Sequence, residues 1–426
     1  MASIVRALLN PNYRLYFGGQ IVSIIGNWMQ QIALSWLIYR LTDSTLMLGM
    51  VLFAGQFPNL LLAPLGGVLS DRFPRRKLLM VTTSLSALQA GILAILSLTG
   101  YLQPPVIVVM ALVLGMINGV DQPIRQSFIP ELVERREDIA NAVALTSFTI
   151  HSSRFIGPVI GGFVVATLGE AACFGLNALS YVGVLWALGV MRIHKLVPAV
   201  NRTVGDALRE GIQYVSGHRA IRLLIFIVTV MALCSGSYQV LLPYFARDVF
   251  HGDVSAFGLM TAAAGLGACL GTIFLASRRS IDGMEVRIIL FSAVVAVALS
   301  VFVLTTVFAV AIAALMVMGF CSINTVAASN ALIQSLVEDQ MRGRVMAIFS
   351  MAFFGITPVG NLLVGFSARY IGAKPTLLMC ASVIGLMSFS AWRARSRIDF
   401  SLPPIGAPLG GSPASVAGVA DGAGKP

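Results

Sequence analysis

His151 and Arg154 are the only ionisable side chains in an otherwise apolar and small-residue stretch running from 140 to 167. The imidazole is a group that can exchange a proton near neutral pH. The guanidinium keeps its charge, so at that depth it needs water, a cluster of carbonyls or an anion as partner. Gln30, Asn118, Tyr238, Gln239 and Asn324 lie at comparable depths in other apolar stretches. Side chains of these types bind and steer a solute. The signatures that would signal covalent chemistry, His-Glu-x-x-His, Gly-x-Ser-x-Gly and Gly-x-x-x-x-Gly-Lys-Ser/Thr, do not occur, which argues against an enzyme or a nucleotide-driven machine. Five cysteines, all in apolar stretches at no ligand-like spacing, read as small buried hydrophobes, so neither metal nor cofactor is expected.

The elements that must hold these groups follow from composition. Hydrophobic residues make up 57% of the 426-residue chain and charged residues 11%, where a soluble domain carries about 25% charged; mean hydropathy is +0.86. Twelve apolar runs, beginning with 16–39 and including 140–167, 222–245 and 345–368, are each long enough to cross about 30 Å of hydrocarbon as a helix. The expectation is an all-α integral membrane protein with twelve transmembrane helices. Threading the chain twelve times puts 24 of 29 Lys and Arg residues on one side. Only Arg40, Arg247, Arg369 and Lys374 fall on the other, and Arg154 lies between. The positive-inside rule then places both termini in the cytoplasm. Because the excess of +11 sits in short juxtamembrane loops, membrane lipid headgroups are its expected partner, with no nucleic acid and no nucleotide.

Residues 1–191 and 222–397 read as two six-helix halves around a central cytoplasmic loop, 192–221, in which Leu208, Gly211, Ile212 and Val215 line one face of a short surface helix. The segment 398–426, rich in Gly, Pro, Ala and Ser, reads as a disordered cytoplasmic tail. The halves echo each other. Leu132-Val133-Glu134 returns 204 residues later as Leu336-Val337-Glu338, and Ile156-Gly157-Pro158-Val159 is answered by Ile356-Thr357-Pro358-Val359. Six helices per half make such repeats parallel, related by an axis along the membrane normal.

At the inner end of the second run stands Gly67-Val68-Leu69-Ser70-Asp71-Arg72-Phe73-Pro74-Arg75-Arg76-Lys77. It resembles the loop signature of the major facilitator superfamily, with Pro74 where glycine is usual. Read physically, Gly67 lets helices approach closely and Asp71 offers a charge to a helix N-terminus. The resemblance implies a conformational latch built from Asp71, Arg72, Arg75 and Asp121; the corresponding stretch of the second half, Gly271 to Arg279, lacks the acid. Arg154-Phe155-Ile156-Gly157-Pro158-Val159-Ile160-Gly161-Gly162 is similar to the Gly-Pro-x-x-Gly-Gly signature of antiporters and exporters in this superfamily, in which Gly157, Pro158 and Gly161 would form a pivot. Asp121-x-Pro123-x-Arg125-Gln126-x-Phe128-x-Pro130-Glu131-Leu132-Val133 and Arg342-Gly343-Arg344 resemble the branch that holds the enterobactin exporter and related secretion and macrolide-efflux permeases.

The resemblance implies a secondary active transporter of the cell inner membrane that exports a small, largely apolar drug or siderophore-like molecule by alternating access. Proton antiport is the expected coupling, with His151 and Asp121 as the titratable candidates. Helices one, four, seven and ten line the cavity in this fold, which selects Gln30, Asn118, Tyr238, Gln239 and Asn324, together with Arg154. An importer or uniporter of a small metabolite, or a membrane receptor or scaffold that transports nothing, remains open at this point.

Overall fold

The computed structural model describes residues 6–191, 204–277 and 283–398. The C-terminal segment from residue 399 and the arginines and lysines at 192, 195, 202, 278, 279 and 425 lie outside it. Among the described residues twelve helices are long and apolar enough to span a bilayer: α1 Pro11–Thr42, α2 Thr45–Arg72, α3 Arg75–Leu98, α4 Pro104–Leu132, α5 Arg136–Leu168, α6 Glu170–Val190, α7 Arg219–Val249, α8 Val254–Ala276, α9 Met284–Leu304, α10 Phe308–Leu336, α11 Asp339–Ile371 and α12 Ala373–Arg397. Local chemistry sets their ends. Pro11 and Pro104 occupy first helical positions, where the missing N–H would be unsatisfied anyway. Asp253 caps α8 by accepting from the amides of Ser255 and Ala256 at 3.0 and 3.2 Å. Gly169 and Gly372 turn α5 into α6 and α11 into α12 at φ of 84° and 91°, a conformation open to glycine and strained for other residues.

Within the first half, α1 packs on α5 and α6, α2 on α4, and α3 on α6. In the second, α7 packs on α11 and α12, α8 on α10, and α9 on α12. The repetition reaches single glycines. Gly115 of α4 faces the Ala54 and Gly55 carbonyls of α2, and Gly319 of α10 faces the Ala264 carbonyl of α8.

The halves join through two more glycine pairs. Gly49 of α2 meets Gly365 of α11, and Gly162 of α5 meets Gly258 of α8. A methyl on Gly49 would lie 2.7 Å from the Asn361 carbonyl, and one on Gly365 would lie 2.7 Å from that of Thr45. On the other flank, a methyl on Gly258 would lie 2.5 Å from the Pro158 carbonyl, and one on Gly162 would lie 3.0 Å from that of Val254. Each contact is the other's counterpart in the repeat. Both fall toward the end of the bundle that carries Arg40 and Arg247.

Polar contacts complete that end. Tyr39 donates to Asp248 at 2.5 Å, Arg247 pairs with Asp43 and lies 4.9 Å over the Tyr39 ring, and Thr45 donates to the Gly365 carbonyl at 3.2 Å. Trp36 stacks on Phe257 with ring centroids 6.4 Å apart.

The connecting helix Val204–Gly217 does more than rest on a membrane surface. Gly211 packs against Ile348 and Arg344 of α11, and Glu210 pairs with Arg344, while Ile212 is 54% exposed.

Side chains at the paired glycines will hold the Arg40 end apart. With Asp43→Cys and Arg247→Cys as reporters, adding Gly49→Val and Gly258→Val should slow oxidative cross-linking about tenfold, because a side chain cannot enter a backbone-to-backbone contact. An unchanged rate would show that the halves tolerate the added bulk without separating.

Candidate functional site

The loop between α2 and α3 holds its basic residues by several bonds. Arg75 donates to the Ser127 carbonyl at 3.1 Å, pairs with Glu131 at 2.7 Å and reaches Ser70 at 3.2 Å. Arg76 donates to the Leu188 and Gly189 carbonyls at 2.5 and 2.7 Å, closing the C-terminus of α6, where a cation is favoured. Asp71 is half exposed, 4.0 Å from Arg75 of its own loop, and Arg72 is exposed.

Two expectations change here. The acid that Arg75 meets is Glu131, since Asp121 lies ten residues earlier in the chain, about 15 Å deeper along a helix. Asp121 instead takes Arg125, one turn away, at 2.6 Å and accepts from Thr82 at 2.5 Å, while Arg125 also donates to Tyr16 at 3.3 Å. The Asp121–Arg125 spacing of four was the available signal. Close approach belongs to Gly66, whose added methyl would lie 3.0 Å from the Val120 Cα of α4; nothing lies within 4 Å of one on Gly67. The helical rotation of about 100° between neighbours turns Gly67 away. At the N-terminus, the hydrogen bond from Arg6 to Asp138, at 2.5 Å, holds the guanidinium above its ordinary pKa.

On α5 the small residues divide between two neighbours. Gly157 faces Ile25 and Trp28 of α1, Gly161 faces Met29, and the Pro158 carbonyl faces Gly258 of α8. The Arg154 backbone in turn lies against Gly265 of α8. Thus α5 is wedged between its own half and the other.

The mid-depth polar residues fall into two groups. Gln30 is buried, donating to Gln89 at 3.1 Å and accepting from Asn177 at 2.7 Å, which places it inside the first half. Asn324 is buried against Gly271 of α8 and donates to the Phe320 carbonyl at 2.8 Å. Asn118 is half-buried on α4, and His151 half-buried one turn from Arg154. Arg154, Tyr238 and Gln239 come together with Ser235 and Ser322 around a cavity of about 90 Å³ in the second half. Its remaining walls include Met231, Ala264, Ala268, Met318, Ile323, Val326 and Phe353.

The backbone of α7 explains this grouping. A π-turn at Met231–Ser235 is followed by a tightened turn at Gly236–Leu241, and α11 carries another π-turn at Met351–Gly355. Such turns shift helical phase and are frequent at functional sites. Here they bring Ser235, Tyr238, Gln239 and Phe353 onto one cavity. Ser235, Ser322, Phe353 and the cluster of Asp43, Arg247 and Asp248 at the Arg40 end escaped the sequence reading as site groups. A π-turn has no residue signature, and three charges near helix ends look like ordinary loop polarity.

A model of the transmembrane secretion effector family matches residues 3–400. The chain belongs to that family. The chain is similar to the staphyloferrin A transporter of Staphylococcus aureus (strain NCTC 8325 / PS 47), with 29% identity covering 88% of this chain and 92% of that protein. It is also similar to the enterobactin exporter EntS of Citrobacter koseri, with 25% identity over 88% and 89%. A bacterial homolog of the human lysosomal transporter Spinster, solved in an inward-facing, occupied conformation, shares the fold with a TM-score of 0.68 at 14% identity, covering 94% of this chain and 99% of that one. The protein is therefore a multi-pass major facilitator transporter of a small molecule, not an enzyme, in the branch read from the α4 and α11 motifs.

Gln30→Ala should act on stability. It strands the Asn177 and Gln89 amides, at about 1–3 kcal/mol each, so thermal unfolding in detergent should shift down while solute affinity stays within about twofold. Loss of affinity at unchanged stability would return Gln30 to the solute path.

Proposed function

We propose that this transporter exports a small, largely apolar molecule, drug or siderophore-like, across the cell inner membrane by alternating access. The observation that carries the reading is the pairing of a mid-depth cavity, reached by side chains of both halves, with closure at one end through two equivalent glycine contacts. A body jointed in this way opens at one end when the other shuts. Residues 1–191 and 222–397 act as the rocking halves and 192–221 as their cytoplasmic connection. The charge partition puts the closed Arg40 end outside and the chain termini in the cytoplasm, so the solute enters from the cytoplasm. The likeness to EntS, named as an exporter, and the Gly-Pro-x-x-Gly-Gly stretch support outward transport.

Asp71, Arg72 and Arg75 serve as the cytoplasmic latch, which re-forms when that end shuts. Asp71 is half exposed beside its own loop here, as an acid released from a partner would be. Gly157, Pro158 and Gly161 form the pivot along α5. Protons drive the cycle, with His151 as the switch beside the solute and Asp121, held by Arg125, as the second titratable site. Membrane lipid surrounds the bundle, and neither nucleotide nor nucleic acid takes part.

Solute flux in cells and proteoliposomes tests the reading. An uncoupler should raise accumulation of an exported dye in cells that make the protein; accumulation that already equals that of cells lacking the protein before the uncoupler is added would remove the export reading. Asp71→Asn should leave expression and insertion intact and lower flux about fivefold or more, since a buried charge-assisted bond contributes about 1.5–3 kcal/mol. Normal flux would discard the latch. A cysteine replacing Arg209 should resist an impermeant thiol reagent added to intact cells, and ready labelling would invert the topology.

A further inference from the structure

The environment of Arg154 defines the head group of the solute. Its half of the surroundings is stripped of acids: 139–168 of α5 and the whole of α1, α8 and α10 contain no Asp or Glu. On α7 the one acid, Asp248, is engaged with Tyr39 at the closed end, and on α11 the one acid, Asp339, pairs with Arg342 in its first turn. The guanidinium forms neither an ion pair nor a hydrogen bond to protein among the described residues. It lies over the Trp28 ring, with the centroid 5.8 Å away, and within electrostatic reach of Tyr238 and His151. A ring face attracts a cation but accepts none of the five N–H bonds an arginine presents.

Those donors border a cavity that also has polar groups in its lining. Ser235, Ser322, Tyr238 and Gln239 supply hydroxyl and amide donors, and Ser235 and Ser322 already touch at 3.0 Å. Beyond them the wall is methyl, thioether and phenyl. A fixed positive charge, neutral donors and apolar surface around one cavity match an amphipathic acid. Its planar oxyanion would meet the planar guanidinium by two parallel bonds, a fit that an ammonium cannot make.

We infer that Arg154, with Tyr238, Gln239 and the Ser235–Ser322 pair, forms a carboxylate-binding subsite, and that the transported solute is a small amphipathic acid whose apolar body lies along Met318, Ile323 and Phe353. The inference rests on the transport reading and gives it a substrate class. Because Arg154 belongs to the first half and the other groups to the second, a bound carboxylate ties the two halves together at mid-depth. The charge is one that each rocking step must carry with its partner.

Phenylbutyrate and phenylbutyramide, alike in shape and differing in charge, serve as probes against the purified full-length protein in detergent, with calorimetry for affinity. The wild-type protein should bind the acid about tenfold or more tighter than the amide, the difference expected for a charge-assisted bidentate bond. R154Q should bring the two affinities within about twofold of each other, with the larger loss on the acid, and the acid preference of R154K should fall between those of wild type and R154Q. Equal wild-type affinities for acid and amide overturn the inference, as does an acid preference that survives R154Q. If R154Q does not fold, the wild-type preference and its reduction in R154K decide the matter alone. Export of neutral dyes with no acid preference would sink this inference and leave the transport reading standing; an Arg154-dependent acid preference without any flux would do the reverse.

Discussion

Backbone-to-backbone contact without side chains between is the constraint on which this transporter depends. In a bilayer, apolar side chains gain little by leaving lipid for protein, so association of helices must come from close packing and hydrogen bonds. Gly49 against Gly365 and Gly162 against Gly258 meet that requirement at the joint between the halves. The contact they make depends on shape, because no side chains stand between the backbones. The Tyr39–Asp248 and Arg247–Asp43 bonds add direction to a joint whose position the glycines set.

Within each half the packing is of another kind. Asp121, Arg125, Thr82 and Tyr16 bind α1, α3 and α4 together, and Gln30, Gln89, Asn177, Asn27 and Tyr181 bind α1, α3 and α6. These buried networks are satisfied mainly within the first half, so they stiffen it as a unit. The second half departs from regular α-geometry where it faces the cavity, at Met231–Leu241 of α7 and Met351–Gly355 of α11. This asymmetry stands in a chain whose glycine contacts repeat closely, and it places the irregular backbone on the cavity that Arg154 borders.

Much of the architecture was legible in the residues. Apolar run length marked every spanning helix, and the recurrence of Leu-Val-Glu and Ile-x-Pro-Val marked the two halves, because both signals depend on local composition. Arg154 stood out because a charge in hydrocarbon has few benign explanations. Side-chain direction was less legible. Gln30 and Asn324 sit at the depth expected of solute ligands, yet helical phase and packing turn them toward Asn177 and Gly271. Glu131 displaced Asp121 as the partner of Arg75 for a similar reason, since depth along α4 is set by where the loop folds back. Ser235 reaches the cavity through a π-turn that no residue pattern announces.

Spin-label distances at the two ends of the bundle test the central claim most directly. One pair replaces Ser44 and Arg369 at the closed end; the other replaces Arg72 and Arg342 at the basic end. A joint at the paired glycines predicts reciprocal populations by pulsed electron resonance: conditions that lengthen the first distance shorten the second, and Gly49→Val with Gly258→Val shifts both together in that sense. Two distances that change independently, or a basic end that stays open when the Arg40 end separates, would contradict it.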